Sequence, residues 1–190
     1  MKYRESGMPD ENLWKTFFDP FQIIESMGIN EKINVLVDIG CGYGTFTFPA
    51  SKIVKKVVGV DIDNQMIEYC KNIIREQNYK NIDLIEIDIS QNQSIQDKLK
   101  IYSDDIDYIT LFNILHCEDP LKLLQSTYNV LKTGSKLGVI HWKYENTPRG
   151  PSMEIRPKPE QIIKWANSIG FKTKNEINLP PYHYGIVFEK

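Results

Sequence analysis

Three closely spaced glycines, followed by an aspartate, suit this chain to bind a nucleoside. Gly40, Gly42 and Gly44 come directly after an apolar run at 35–39, which is typical of a strand buried on both faces. Glycine lets the backbone turn tightly and leaves no side chain between the backbone and a ligand. A second apolar run ends in Asp61, where a carboxylate can bind ribose hydroxyls. The pattern predicts a nucleoside cofactor site at the carboxyl edge of a sheet.

The glycine spacing also indicates which nucleoside is bound. Dinucleotide sites usually carry G-x-G-x-x-G, with the diphosphate resting on a helix N-terminus, whereas this chain has G-x-G-x-G. Asp38 directly precedes the turn, and its carboxylate would repel a diphosphate strongly in a partly dry site. The same carboxylate attracts the ammonium and sulfonium groups of S-adenosylmethionine. We therefore expect S-adenosylmethionine as the cofactor, and the spacing disfavours an NAD-dependent dehydrogenase.

Alternating strand and helix patterns place these residues in a sheet. Strands are predicted at 33–39, 57–61, 82–87, 106–112, 136–142, 171–178 and 184–189. Helices are predicted at 10–28, 44–54 and 64–77, in a polar region at 90–100, after Asp119-Pro120 (with Leu121, Leu124, Tyr128 and Leu131 facing the sheet) and from Pro159 to Gly170. Only about five residues separate the last two strands, too few for a parallel crossover, so they must form an antiparallel hairpin. The fold predicted is a Rossmann-like, doubly wound α/β fold with a mixed seven-stranded sheet.

Length and composition bound the remaining possibilities. A chain of 190 residues is long enough for one sizeable core. Within this single globular unit we expect an N-terminal helical cap at 1–30 and a cofactor-binding domain at 31–190. The net charge of −2 gives no attraction to nucleic acid or to anionic membranes. The three cysteines are scattered without zinc-ligand spacing, which favours free thiols and a cytoplasmic location. We expect a monomer or homodimer.

Five segments of the chain together resemble class I S-adenosylmethionine-dependent methyltransferases. The resemblance is to the small-molecule group that includes the ubiquinone/menaquinone-type (methyltransferase type 11-like) enzymes. The matching segments are VLVDIGCGYG (35–44), VVGVDID (57–63), IEIDI (85–89), DYITLFNILH (107–116) and LKTGSKL (131–137). The similarity extends from about residue 33 to 143 and weakly to the end. The five matches are specific together, whereas G-x-G-x-G alone is a weak signal.

The resemblance implies ten cofactor-binding residues. In it, the glycine turn lines the methionyl and ribose groups, the acid before the turn lies near the methionyl ammonium, and the acid after the second strand binds the ribose diol. The residues after the second and third strands contact adenine, and the residue after the fourth strand faces the methyl group. The ten residues are Asp38, Gly40, Cys41, Gly42, Gly44, Asp61, Ile62, Asp88, Ile89 and Asn113. Cys41 has packing as its alternative role, and Asp88 has a turn position.

The three histidines of the chain, His116, His141 and His183, are the candidate catalytic residues. Each lies in a loop or at a strand end that topology places at the cofactor edge. A thiolate, phenolate or enolate acceptor needs little beyond alignment with the methyl group, but a neutral alcohol or amine needs a base near pH 7. Each histidine has an alternative structural role, as a loop hydrogen-bonding group or a buried neutral ring. Since a three-histidine metal site would require ligands from three separate loops, we expect no metal.

Three further residues are candidates for binding the acceptor: Arg149, Trp14 and Tyr184. Prolines on both sides of Arg149 stiffen its loop, so its guanidinium can be aimed at a carboxylate or phosphate. The loop from Lys143 to Lys158 is expected to be a lid, with Gly150 as its freest point. Trp14 lies on the N-terminal helix, where plain core packing is the alternative.

Function is predicted as methyl transfer to a small-molecule acceptor. A regulatory subunit that binds S-adenosylmethionine without catalysis is one alternative, but every expected cofactor position is filled. A protein or RNA methyltransferase is another. DNA amino-methylating enzymes of this fold carry an Asn/Asp-Pro-Pro-Tyr/Phe motif after strand four, where this chain has Asn113-Ile-Leu-His116. The segment Asn178-Leu-Pro-Pro-Tyr182 resembles that motif only superficially, and the chain has no basic stripe.

Overall fold

Seven strands form one mixed sheet in the computed structural model, which describes residues 9–88, 97–102 and 104–190. The strands are β1 (Val35–Ile39), β2 (Lys56–Asp61), β3 (Ile82–Glu86), β4 (Ile106–Phe112), β5 (Lys136–Trp142), β6 (Lys172–Leu179) and β7 (His183–Glu189). Their spatial order is β3-β2-β1-β4-β5-β7-β6. Strands β1 to β5 pair in parallel, and β7 pairs antiparallel with both β5 and β6. The predicted α/β fold with a closing antiparallel hairpin is confirmed.

Helices pack on both faces of this sheet. They are α1 (Glu11–Lys15), α2 (Pro20–Ser26), α3 (Thr47–Ser51), α4 (Asn64–Gln77), α5 (Pro120–Val130) and α6 (Pro159–Ile169), with a 3₁₀ turn at Lys100–Tyr102. Aspartate side chains begin four of these helices by accepting from backbone N–H groups: Asp10, Asp19, Asp63 and Asp119. Such caps satisfy amides that have no partner within the helix. No described helix is long and apolar enough to cross a membrane.

The N-terminal helix predicted at 10–28 is two short helices. A break at 16–19 separates α1 from α2, because Asp19 and Pro20 begin a new helix rather than continue the first. The helix predicted at 44–54 is also shorter, since α3 covers only Thr47–Ser51. Strand boundaries differ from the predictions by no more than two residues. Most of the polar region predicted to contain a short helix at 90–100 lies outside the described residues.

The prediction of which α5 residues face the sheet was partly wrong. Leu121 is 43% exposed, whereas Leu123 and Leu124 are fully buried. The buried face also carries Ser126 and Thr127, whose hydroxyls donate to backbone carbonyls one turn earlier. These internal hydrogen bonds let Ser126 and Thr127 lie in the core. The buried face of α5 therefore includes polar residues, and the apolar residues alone indicated a different face.

The sheet topology creates a crevice between β1 and β4. These strands are neighbours, but the chain leaves β1 toward β2 on one side and leaves β4 toward β5 on the other. The connections therefore diverge at the carboxyl ends of the two strands, which is where open α/β sheets bind their ligands. The glycine turn follows β1, and Asn113 follows β4, so both border this crevice.

Candidate active site

The glycine turn is held against the ends of two neighbouring strands. Gly40, Gly42 and Gly44 have φ values of 78°, 51° and 73°, in the left-handed region that favours glycine. The Gly42 N–H donates to Asp61 Oδ2 at 2.8 Å, which ties the turn to β2. A side chain at Gly40 would place its Cβ 2.9 Å from Ile114 Cγ2. The turn therefore packs tightly against the segment that follows β4, where a side chain at Gly40 would not fit.

Asp38 is a buried carboxylate held by two hydroxyl groups. Thr47 on α3 donates to Oδ2 at 2.6 Å, and Thr110 on β4 donates to Oδ1 at 2.7 Å. Burial raises the pKa of Asp38, and the two hydrogen bonds partly oppose that rise. Each carboxylate oxygen can accept a second hydrogen bond. Asp38 thus joins β1, β4 and α3 beside the turn and retains capacity toward a cationic group.

Asp61 is also buried and also retains acceptor capacity. Its Oδ1 accepts from the Asp63 N–H at 2.9 Å, while its Oδ2 accepts from Gly42. Burial raises the pKa of Asp61 despite these backbone hydrogen bonds. A carboxylate that accepts one bond at each oxygen can still accept one more at each. This geometry fits a diol such as that of ribose.

Asn113 has the buried polar side chain that most clearly requires a ligand. Its backbone is left-handed, with φ of 58°, and its N–H donates to the Ile140 carbonyl at 2.8 Å. The side chain is 9% exposed, and neither its oxygen nor its nitrogen has a hydrogen-bond partner among the described residues. An unpaired buried amide is costly, so a strained residue with such an amide at the crevice indicates a binding function. Together with Asp38 and Asp61, it fits the polar groups of S-adenosylmethionine.

The other predicted cofactor residues border the same region. Ile62 and Asp88 are half-buried after β2 and β3, respectively, and Ile89 lies outside the described residues. The Cys41 thiol lies against Cys70, and the hydrogen bond with that thiol, followed by burial, raises the pKa of Cys41 well above its usual value. The Cys70 thiol in turn donates to the Gly42 carbonyl at 3.2 Å. The side chain of Cys41 therefore packs beneath the turn, and only its backbone borders the crevice.

The structure brings two of the three histidines into contact. His116 follows β4 and is half-buried, and its ring centroid lies 5.5 Å from that of His141 at the end of β5. His141 is fully buried, and neither ring nitrogen has a hydrogen-bond partner among the described residues. Burial, and then repulsion from His116, holds the pKa of His141 well below its usual range. His116 is thus the more accessible ring, with a neutral imidazole behind it.

His183 lies on the opposite face of the sheet from His141. The antiparallel register places His141 beside Tyr184 and Trp142 beside His183, and neighbouring residues of a strand point to opposite faces. His183 packs between Trp142 and Phe18, with ring centroids 4.2 Å and 4.6 Å away. Burial lowers its pKa to about 3. The aromatic contacts give this imidazole a packing role at the edge of the site.

The candidate acceptor-binding residues occupy three different environments. Arg149 is exposed on the loop after β5. The Tyr184 hydroxyl donates to the Pro157 carbonyl at 2.9 Å, so it anchors the end of that loop. Trp14 donates from Nε1 to Thr45 Oγ1 at 3.0 Å. At Gly150, which was expected to be the freest point of the loop, a Cβ would lie 2.8 Å from the Trp142 ring, so the backbone there packs against that ring.

Residues 9–14, in the segment predicted to be an N-terminal helical cap, lie across the glycine turn through individual contacts that had no local signal in the sequence. Besides the Trp14 bond, Tyr43 donates to the Pro9 carbonyl at 3.2 Å, and Tyr69 on α4 donates to Glu11 at 2.6 Å. The turn and α4 are therefore bridged to α1 by side-chain hydrogen bonds. Helix α1 is positioned to cover a bound cofactor.

We expect the Trp14→Phe variant to release its cofactor several-fold faster than wild type. The substitution keeps an aromatic ring but removes the indole N–H that bonds Thr45, a loss of about 0.5–1.5 kcal/mol. Stopped-flow measurement of cofactor dissociation tests this expectation. Leu13→Ala is the matched control, since Leu13 is exposed on the same helix. Equal dissociation rates in wild type and Trp14→Phe would show that α1 does not cover the bound cofactor.

Comparison with known proteins identifies the family. Residues 29–169 match the family model described as a methyltransferase domain. A putative methyltransferase, 235L, of Invertebrate iridescent virus 6 is 31% identical over 128 residues, which cover 66% of this chain but 41% of that protein. The ubiquinone biosynthesis O-methyltransferase of Histophilus somni (strain 2336) is 25% identical over 184 residues, covering 87% of this chain and 74% of that protein.

Structural similarity agrees with the sequence match. The crystal structure of a SAM-dependent methyltransferase from Aquifex aeolicus superimposes with a TM-score of 0.81 at 21% identity, covering 96% of this chain and 98% of the other. Curated relatives at 23% and 26% identity also include ribosomal RNA small subunit methyltransferases. The chain belongs to the methyltransferase domain family, which confirms the class I S-adenosylmethionine-dependent methyltransferase predicted from its sequence.

Proposed function

We propose that this chain transfers the methyl group of S-adenosylmethionine to a small-molecule acceptor by in-line displacement. The observation that carries the proposal is the set of buried polar groups without partners at the carboxyl edge of the described sheet. The Asn113 amide and the His141 imidazole both belong to this set, and His116 lies beside them. Buried polar groups of this kind require hydrogen bonds from a ligand.

The residues of the crevice divide into donor-binding and acceptor-binding groups. Asp61 accepts from the ribose hydroxyls, and Asp38 attracts the methionyl ammonium. When bound, S-adenosylmethionine supplies a methyl group that is electrophilic enough to be displaced directly. His116 accepts the proton of the acceptor, and the neutral His141 behind it avoids a second positive charge there. Orientation of the acceptor then supplies much of the acceleration.

A small acceptor is favoured over RNA by the cover of the site and by charge. Helix α1 lies across the turn, the loop after β5 lies over the ends of β5 and β7, and the net charge of the chain is −2. RNA binding depends on basic surface that neutralises phosphates. The name of the Histophilus relative suggests hydroxyl acceptors, whereas the ribosomal RNA relatives make RNA the second candidate. The chain spans 41% of the length of the first relative.

Ligand-induced thermal stabilisation and a labelled-donor screen test the proposal. At 100 times its dissociation constant, S-adenosylmethionine is expected to add about 2.7 kcal/mol to the free energy of unfolding, and NAD⁺ is expected to add nothing. Purified protein is then incubated with methyl-labelled donor and either a panel of phenols, catechols and alcohols or total RNA. Label in small molecules supports the proposal. Label only in RNA, or donor binding without transfer to any acceptor, contradicts it.

A further inference from the structure

Arg156 is a buried arginine at the centre of the loop after β5. Its side chain is 6% exposed, and its guanidinium makes six hydrogen bonds to that loop. The acceptors are the carbonyls of Lys143, Glu145, Arg149 and Pro151, the last of which accepts twice, and the hydroxyl of Thr147. A guanidinium is suited to this role because its five N–H donors are fixed in one plane, and here the two N–H groups of Nη1 are shared among three acceptors.

The loop held by Arg156 lies over the ends of β5 and β7. At Gly150, with φ of 110°, the loop packs so closely on Trp142 that a side chain would not fit. The loop begins where the Lys143 N–H donates to the Tyr182 carbonyl at 2.8 Å, and it ends where Pro157 accepts from Tyr184. Trp142 contacts His183, and Tyr184 is the neighbour of His141 across the strands. The loop thus contacts a direct neighbour of each buried imidazole, Trp142 beside His183 and Tyr184 beside His141.

We propose that Arg156 is a positioning residue, which holds the loop from Lys143 to Pro157 closed and so keeps His141 and His183 shielded from water. The inference rests on the proposed function only where catalysis is concerned, since the loop geometry is independent of the reaction. The guanidinium itself is committed to the loop and does not contact the acceptor. Arg149, which the sequence favoured because prolines flank it, contributes its carbonyl to Arg156, while its exposed side chain lies outside this network.

The charges around the imidazoles give the inference a measurable consequence. His116 faces His141 from the end of β4, Arg156 and Lys143 face the histidines from the loop, and Glu160 on α6 faces Tyr184. Burial is the first cause of the lowered pKa of His141 and His183, and the charge of Arg156 contributes to both. Removing that charge and admitting water both favour the protonated imidazole. Opening of the loop should therefore raise both pKa values toward 6.5.

Hydrogen exchange and histidine NMR test the proposal in two variants. Arg156→Met removes both the charge and the donors, and Arg156→Lys keeps the charge but loses the planar set of donors. We expect amides at 143–157 to exchange at least about tenfold faster in both, and the His141 and His183 ring signals to titrate at higher pH, most in Arg156→Met. Arg75→Met, which removes an exposed guanidinium from α4, is the matched control. Unchanged binding of S-adenosylmethionine reports that each variant is folded.

Kinetics separate this proposal from the proposed function. With an active acceptor, both Arg156 variants should raise KM for the acceptor and move the acid limb of the rate profile to higher pH, with the donor affinity unchanged. Wild-type exchange at 143–157 and wild-type histidine titration in a folded Arg156→Met protein would overturn the positioning role. If Arg156→Met does not fold, the same result in Arg156→Lys would overturn it. Absence of turnover by wild type would contradict only the proposed function.

Discussion

Turnover of a hydroxyl acceptor is expected to fall about 10²-fold or more in the His116→Ala variant, with donor affinity unchanged. His116 is the half-buried imidazole at the crevice, and general base catalysis contributes about 10²–10⁴-fold. The neutral ring of His141 behind it imposes no repulsion on the proton that His116 gains. Steady-state kinetics with saturating donor, together with calorimetric titration of S-adenosylmethionine, provide the measurement.

The nature of the acceptor distinguishes a base from a structural residue. A phenol or thiol whose pKa lies well below the assay pH is already ionised, so it does not require a base. Loss of turnover in His116→Ala should shrink toward zero with such an acceptor if His116 removes a proton. His116→Gln is the companion variant, because glutamine keeps a polar side chain but cannot accept and carry the proton. Equal losses with ionised and neutral acceptors would instead assign His116 to loop structure.

Donor affinity is expected to fall by about 2–3 kcal/mol in the Asp61→Ala variant, since two hydrogen bonds from the ribose to a charged group are lost. The carboxylate also holds the Gly42 N–H, so its removal loosens the turn that faces the donor. Calorimetry with S-adenosylmethionine measures the loss. Adenosine is a useful second ligand, because it contains the ribose but lacks the methionyl group, and its binding should weaken by a similar free energy.

A neighbouring aspartate supplies the control for Asp61→Ala. Asp63 is exposed and caps α4 by accepting from the Gln65 N–H. Its replacement by alanine should cost about 1 kcal/mol of the free energy of unfolding but leave donor affinity unchanged. Unfolding of both variants in urea separates loss of stability from loss of binding. Wild-type affinity in Asp61→Ala would remove this carboxylate from the donor site.

Local sequence signals predicted much of the fold because they act within a few residues. Aspartate followed by proline began helices at Asp19 and Asp119, and β-branched runs located the central strands. The α5 face was misjudged because Ser126 and Thr127 lie in the core with their hydroxyls bonded to their own helix. Hydrophobic patterns carry no information about polar groups that satisfy themselves in this way.

The candidate site was less predictable because its contacts join distant parts of the chain. The turn, the acid after β2 and the residue after β4 were recognisable as a motif. The bond of Trp14 to Thr45 spans 31 residues, and that of Thr110 to Asp38 spans 72, so neither had a local signal. Arg156 and Arg149 occur in the same loop, and flanking prolines favoured Arg149 as an acceptor-binding residue, whereas nothing local to Arg156 indicated that it organises the loop. Only the folded loop distinguishes an arginine that binds carbonyls from one that faces solvent.

The reversed direction of β7 has a consequence for protein engineering. Because β7 runs antiparallel to β5, its first residue, His183, rather than its last, reaches the edge where the crevice opens. The short β6–β7 connection at 180–182 therefore lies at that edge without being attached to a helix. Libraries that vary only these three positions, or graft longer hairpin tips there, would reshape the rim while leaving the helical layers intact. The hairpin tip is thus a place where few substitutions could change the selectivity for the acceptor.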